Sequence, residues 1–263
     1  MNASEWFKQG RLREAIDAQL QEVKANPADN GRRLFLFELA AFAGDLERAR
    51  RQIDAVQYSD PEQQLSVSNY RQLLDAEEKR QRLLRDGLQP QVLGESAEHV
   101  KLRLEAVNCL RDGRQAEAAE LLTKANEGAG ELKGTLNDKE FIGIRDADDL
   151  FGMVLEVVAR GEYFWVALDQ IDSLAMNAPT FPRDTIWQPA RLTLRDGQQG
   201  EVFLPALYPG SHQHADEKVK LGRSTDWTQA ESGPVLGAGA RTYLVGDDGV
   251  GLLEWRKLQM GDA

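Results

Sequence analysis

The sequence predicts an α+β fold: a tetratricopeptide-like α-helical array followed by a mainly antiparallel, β-rich α+β domain. Three observations carry this expectation. A glycine-to-alanine signature recurs at a helical-repeat period in the first half. Composition changes near residue 128, with seven aromatics, six Gly and three Pro before it and twelve, seventeen and six after it. The second half also holds aromatic, β-branched runs separated by Asp-Gly turns, a hairpin signal.

The recurrent signature is Gly10-Arg-Leu-Arg-Glu-Ala15, then Gly44-Asp-Leu-Glu-Arg-Ala49, 34 residues on, then Gly113-Arg-Gln-Ala-Glu-Ala118 after a further 69. A 34-residue period with Gly at the interhelical turn matches the tetratricopeptide pattern. Gly ends one helix and the small Ala lets the next approach closely. Leu12, Ile16, Leu20 and Val23 recur at helical spacing as a buried stripe, and Asn26-Pro27 stops that helix. No glycine stands near residue 78, where Asp75 to Arg85 reads as one charged helix, so the array is degenerate. An irregular α-bundle is the plainer alternative.

Domain limits follow as 1–127 for the helical array, 128–145 for a linker that includes the Gly-rich end of Asn126–Gly134, and 146–263 for the α+β domain. The second half opens with Asp146-Ala-Asp-Asp149 ahead of Leu150, Phe151, Val154, Leu155 and Val158, which predicts a capped helix ending at Gly161. A strand follows from Tyr163 to Leu168. Ile186 to Leu194 and Glu201 to Tyr208 flank Asp196-Gly197 as the main hairpin, with Pro189, Pro205 and Pro209 at edges, bulges or strand ends. A long loop from Pro209 to Ala240 and a last hairpin, Arg241–Val245 with Val250–Leu258, complete the chain. The sheet is expected to be curved, with a helix packed on it.

Net charge of −11 and pI near 4.9 argue against nucleic acid and anionic membranes, both of which demand basic patches. They are compatible with a partner segment rich in Lys and Arg. No apolar run approaches a membrane span, the N-terminus lacks a signal pattern, and the lone Cys109 forms no internal disulfide, which together predict a cytoplasmic protein.

Candidate chemistry is sparse. His212 and His214 have alternate spacing but no nearby third His or Cys, so an exposed loop accounts for them better than a metal site. Asp146, Asp148 and Asp149 read as a helix cap rather than an acid–base cluster. Gly237-Ala-Gly-Ala-Arg241 lacks the following helix of a nucleotide-binding turn. Cys109 sits in an apolar helical context, as small core cysteines do. Ser224 has no neighbouring His in sequence. No catalytic residue, metal or cofactor is expected. Gly222-Arg-Ser-Thr-Asp-Trp227 differs in kind: Arg223 and Asp226 can pair, and Trp227 can anchor the loop.

At these residues the chain resembles the ImpE or SciE-type (TagJ-like) proteins, accessory proteins of bacterial type VI secretion systems. The resemblance spans nearly the whole chain. It is densest in Gly161-Glu-Tyr-Phe-Trp-Val166, Asp184-Thr-Ile-Trp-Gln-Pro-Ala190, Phe203-Leu-Pro-Ala-Leu-Tyr-Pro-Gly210 and Leu221-Gly-Arg-Ser-Thr-Asp-Trp227. It implies a non-enzymatic role in a contractile secretion machine. Members of one branch bind the N-terminal helix of the small sheath subunit and connect it to the sheath-disassembling ATPase. The family supplies no catalytic residues.

The expectation is therefore an adaptor that captures an amphipathic helix or extended segment in the helical array, on the aromatic sheet, or between them. Trp187, Tyr208, Arg223, Asp226 and Trp227 are the candidate partner contacts or loop anchors, and Trp227→Ala should lower partner affinity while leaving helical content intact. The alternatives are a hydrolase or metal-dependent enzyme using Asp146, His212, His214 or Ser224, and a general tetratricopeptide-type peptide binder.

Overall fold

The computed structural model describes residues 1–94, 97–128 and 130–261. Five helices lead: α1 (Ala3–Lys8), α2 (Leu12–Ala25), α3 (Asn30–Phe42), α4 (Leu46–Asp54) and the long α5 (Pro61–Asp86). A short strand, β1 (Gln91–Leu93), precedes α6 (Glu98–Arg111) and α7 (Gln115–Glu127). Asp29, Asp45 and Asp60 each accept a backbone N–H at a helix start, and Pro61 opens α5 where its missing donor is harmless.

The three echoed glycines do one job. Gly10, Gly44 and Gly113 have φ of +80°, +70° and +77° and turn α1 into α2, α3 into α4 and α6 into α7. The alanines five residues on, Ala15, Ala49 and Ala118, are wholly buried where paired helices meet. The position without a glycine lies inside α5, which runs unbroken through it. Leu12, Ile16 and Val23 are buried along α2 and Leu20 packs beside them.

Beyond α7 come β2 (Lys133–Leu136), β3 (Lys139–Ile142), β4 (Ile144–Asp146), β5 (Val154–Ala159), β6 (Glu162–Ala167), β7 (Ile171–Ala175), β8 (Trp187–Leu194) and β9 (Gln199–Pro205). A one-turn helix, α8 (Glu217–Lys220), leads to β10 (Thr225–Gln229), β11 (Val235–Gly239), β12 (Thr242–Val245), β13 (Asp248–Gly251) and β14 (Lys257–Met260). Nine strands form one sheet in the order β1-β6-β5-β9-β8-β7-β14-β2-β3, antiparallel throughout except for β1 on β6. β13-β12-β4 and β10-β11 make two smaller sheets. The fold is thus α+β, with residues 133–146 in strands β2 to β4.

Three sequence expectations need correction. The helix expected after Asp149 is strand β5, and Gly161 closes the β5–β6 hairpin with Arg160, both at positive φ (+76° and +50°). Both faces of β5 are buried: Val154 and Val158 face the helices, Leu155 and Val157 the opposite core. A strand buried on both faces reads as a continuous apolar run, which resembles a helix by composition. The long loop from Pro209 holds α8 and the β10–β11 hairpin. The last hairpin is only β12–β13; β14 leaves it to join the large sheet between β7 and β2.

The main hairpin forms as expected between β8 and β9. Pro189 stands beyond the last β7 pairing, at Arg191, and Pro205 ends β9. One core lies between the helices and the sheet, joining Phe37, Leu74 and Leu83 to Val158, Trp165 and Trp187. A second fills the other face around Leu174, Leu204, Tyr243 and Trp255. The helix packed on the sheet is α5, which lies over β5 and β6.

Candidate functional site

A buried charge network lies where α5 crosses the sheet. Arg80 of α5 donates from Nε and Nη2 to the two carboxylate oxygens of Glu156 at 2.8 and 2.9 Å, and from Nη2 to the Leu207 carbonyl at 2.6 Å. Arg241 donates to Glu156 and, at 2.6 Å, to Asp146. Tyr163 and Tyr208 give their hydroxyl protons to Glu156 and Asp146. The Arg241 guanidinium lies against the rings of both Phe151 and Tyr208, 4.4 and 4.9 Å from their centroids. Burial pushes the Glu156 carboxyl up, but Arg80 and Arg241 outweigh it and hold it below its ordinary range.

This network resembles a reaction centre in composition but not in access. The adjoining cavity, bounded by Glu77, Arg80, Trp187 and Tyr208, is about 30 Å³, room for about one water. Asp146 bonds Tyr208 and Arg241; His214 bonds Asp226; the His212 ring packs on Gly44; Ser224 contributes its carbonyl to Ala240. None of the four groups of the enzyme alternative bonds to another, although His212 also borders the small cavity beside the network. No group of three or more His, Cys, Asp or Glu is placed to hold a metal among the described residues, and no described helix is long and apolar enough to cross a membrane.

An open groove of about 290 Å³ runs between α5 and the segment leading into β8. Ser66, Asn69, Tyr70 and Leu73 line one wall at the i, i+3, i+4, i+7 spacing of a single helix face. Phe181, Pro189 and Phe203 line the other. Phe181 is 50% exposed, and Leu65, one turn before Asn69 on α5, is 63% exposed.

Phe181 is fixed in this exposed position. Asp184 accepts from the backbone N–H of Thr180 and Phe181 at 2.8 and 2.9 Å. The Arg183 guanidinium lies 4.0 Å from the Phe181 ring centroid and 4.8 Å from that of Tyr70. Its Nη1 donates to the buried Glu38 of α3 at 2.5 Å. Exposed aromatic surface held rigidly is what an interface hot spot needs, because little side-chain entropy remains to be lost on binding.

Burial pushes Glu38 up to about 7 despite Arg183, and burial with the neighbouring Asp146 charge pushes Asp148 to about 7. Their ordinary values are 4.5 and 3.8, so the folded chain holds protons that the unfolded chain has released in the window between. For these groups stability falls as pH rises from about 4 to about 7, and the penalty is complete above the folded values. The urea midpoint is expected to drop across this window, and Glu38→Gln should make the slope shallower; an unchanged slope would remove Glu38 from the account.

The residues singled out from sequence take different places. Trp187 is buried, stacked on Phe37 at 6.3 Å, and forms the inner wall of the groove. Tyr208 is buried in the charge network. Arg223 and Asp226 do not pair with one another. Arg223 donates to the carbonyls of Phe7 and Lys8 at the end of α1, and Asp226 meets His214 at 3.1 Å on the surface. Trp227 stands 39% exposed, its ring edge-on to Tyr208 rather than sunk in the core. Gly237 allows this approach, since a Cβ there would collide with both rings. Cys109 is buried, as its apolar context implied.

Glu38, Glu156, Phe181 and Arg183 were not singled out. One signal was available: Glu38 in Leu34-Phe-Leu-Phe-Glu-Leu-Ala-Ala-Phe42 and Glu156 in Val154-Leu-Glu-Val-Val158 are single acids inside apolar runs. A carboxylate in such a run needs a buried partner.

Comparison with known proteins agrees with this architecture. Residues 138–259 match the family model described as ImpE protein. The chain is 33% identical over 258 residues to the type VI secretion system accessory component TagJ of Pseudomonas aeruginosa, spanning 98% of this chain and 90% of that one. The crystal structure of protein VPA1032 from Vibrio parahaemolyticus superposes with a TM-score of 0.89 at 26% identity, covering 99% of this chain and 98% of the other.

Proposed function

The chain belongs to the ImpE family of type VI secretion accessory proteins, and from that premise we propose that it is a cytoplasmic, non-enzymatic adaptor that captures a partner helix in the groove beside α5. The observation that carries the reading is Phe181, half exposed yet held by Asp184 at its backbone and by Arg183, which also reaches Tyr70, across from the Ser66, Asn69, Tyr70 and Leu73 face of α5. An amphipathic helix with apolar residues at i, i+3, i+4 and i+7 fills such a groove. The family resemblance makes the N-terminal helix of the small sheath subunit the occupant, with the sheath-disassembling ATPase as the machine it is brought to. The charge network supports the non-enzymatic reading by using its buried carboxylates and guanidinia on one another.

The test is a pull-down from cells carrying the secretion cluster, followed by calorimetric titration of the helix as a peptide. Enrichment of the small sheath subunit should disappear when its N-terminal helix is deleted. Phe181→Ala is expected to weaken peptide binding by about tenfold or more, with an unchanged circular dichroism spectrum. Loss of binding on Trp227→Ala with none on Phe181→Ala would move the docking site to the β10–β11 face. Unchanged binding in both would overturn these two assignments.

A further inference from the structure

Asp148 is a buried carboxylate that the charge network leaves without a cation. It is 3% exposed, and its two oxygens accept one backbone N–H each, from Leu150 at 2.8 Å and Gly237 at 2.7 Å. Arg241 is occupied by Asp146 and Glu156. Arg103 is occupied by the carbonyls of Asp149 and Leu150 and by Asn126. Among the described residues Asp148 belongs to no ion pair, whereas Asp146 and Glu156 both do.

Asp148 lines a cavity of about 250 Å³ at the seam between α5, the α6–α7 turn and β11. The remaining wall is largely apolar, from Leu84, Leu110, Leu150, Phe151 and Leu236. Arg111 also lines it and lies beside Asp112 at 3.8 Å. Each carboxylate oxygen keeps a free lone pair after its backbone bond. An ammonium can donate to either oxygen, and its compact head reaches a carboxylate that is only 3% exposed more readily than a planar guanidinium does.

We propose that this cavity binds a primary ammonium carried on an apolar stem, supplied by a lysine side chain or a chain N-terminus of a partner, with the ammonium on Asp148 and the stem against Leu110, Phe151 and Leu236. The net charge of −11 draws such a group towards the protein. The site is separate from the groove beside α5 and stands or falls independently of it.

Calorimetry on the full chain with n-pentylamine and n-pentanol tests the assignment. The amine should bind roughly tenfold or more tightly than the alcohol, and Asp148→Asn should abolish that preference. Equal binding of the two probes, or no saturable binding of the amine, would overturn it. Asp148→Asn removes an acceptor from the Gly237 N–H and can unfold the chain, so Leu236→Trp provides the second variant. It fills the cavity with Asp148 intact and should lose amine binding at unchanged circular dichroism; retained binding would overturn the assignment. Nα-acetyl-lysine amide and leucine amide then separate the sources. Binding of the first assigns the site to a lysine side chain, of the second to an N-terminus, and of neither overturns the partner-chain assignment.

Discussion

Replacing Glu156 by alanine is expected to lower the free energy of unfolding by about 3–5 kcal/mol, the usual cost of removing one member of a buried ion network. Glu156 is 1% exposed and accepts from Arg80, Arg241 and Tyr163. Its loss leaves Arg80 only the distant Glu77 contact at 3.5 Å and the Leu207 carbonyl, and leaves Arg241 only Asp146. Two guanidinia would then be buried with half their partners. Urea denaturation followed by circular dichroism measures the loss. Glu162→Ala breaks the Lys79–Glu162 pair, whose side chains are 36% and 41% exposed, and should cost far less because water screens an exposed pair. Equal costs for the two variants would show that Glu156 is not the centre of the network.

Glu156 also marks where sequence reading stops. The glycines at 10, 44 and 113 were legible because a helix-to-helix turn needs a left-handed residue at a fixed local position. The β8–β9 hairpin was legible for the same reason, with Gly197 at φ +87°. Strand β5 was not, because burial on both faces erased the alternation that identifies a strand. The network was invisible because its pairs are separated by 76, 85 and 95 residues. The groove behind Phe181 is likewise made by two distant segments, and Arg183 finds Glu38 145 residues away. Local chemistry identified surface aromatics and loop residues; packing decided that Trp187 and Tyr208 are core and that Phe181 is exposed.

Trp187 gives the sharpest separation of scaffold from contact. Trp187→Ala is expected to cost about 3–5 kcal/mol, the range for truncating a large buried aromatic, because the ring is 2% exposed and stacks on Phe37. Its indole N–H also donates to Glu77 at 3.3 Å, a carboxyl that burial already pushes above its ordinary value. Trp187→Phe keeps much of the stacking and removes that donor, so it should cost less than the alanine change, with about 1 kcal/mol from the hydrogen bond. The two variants divide stability from recognition. A helix docked beside α5 meets Phe181 and Tyr70 at the surface and reaches Trp187 only as the inner wall. Trp187→Phe should therefore retain peptide affinity within about twofold, well inside the tenfold of a 1.4 kcal/mol contact, even as its urea midpoint falls. A variant with unchanged stability and much weaker binding would instead make Trp187 a direct contact, reached by a partner that opens the groove as it enters.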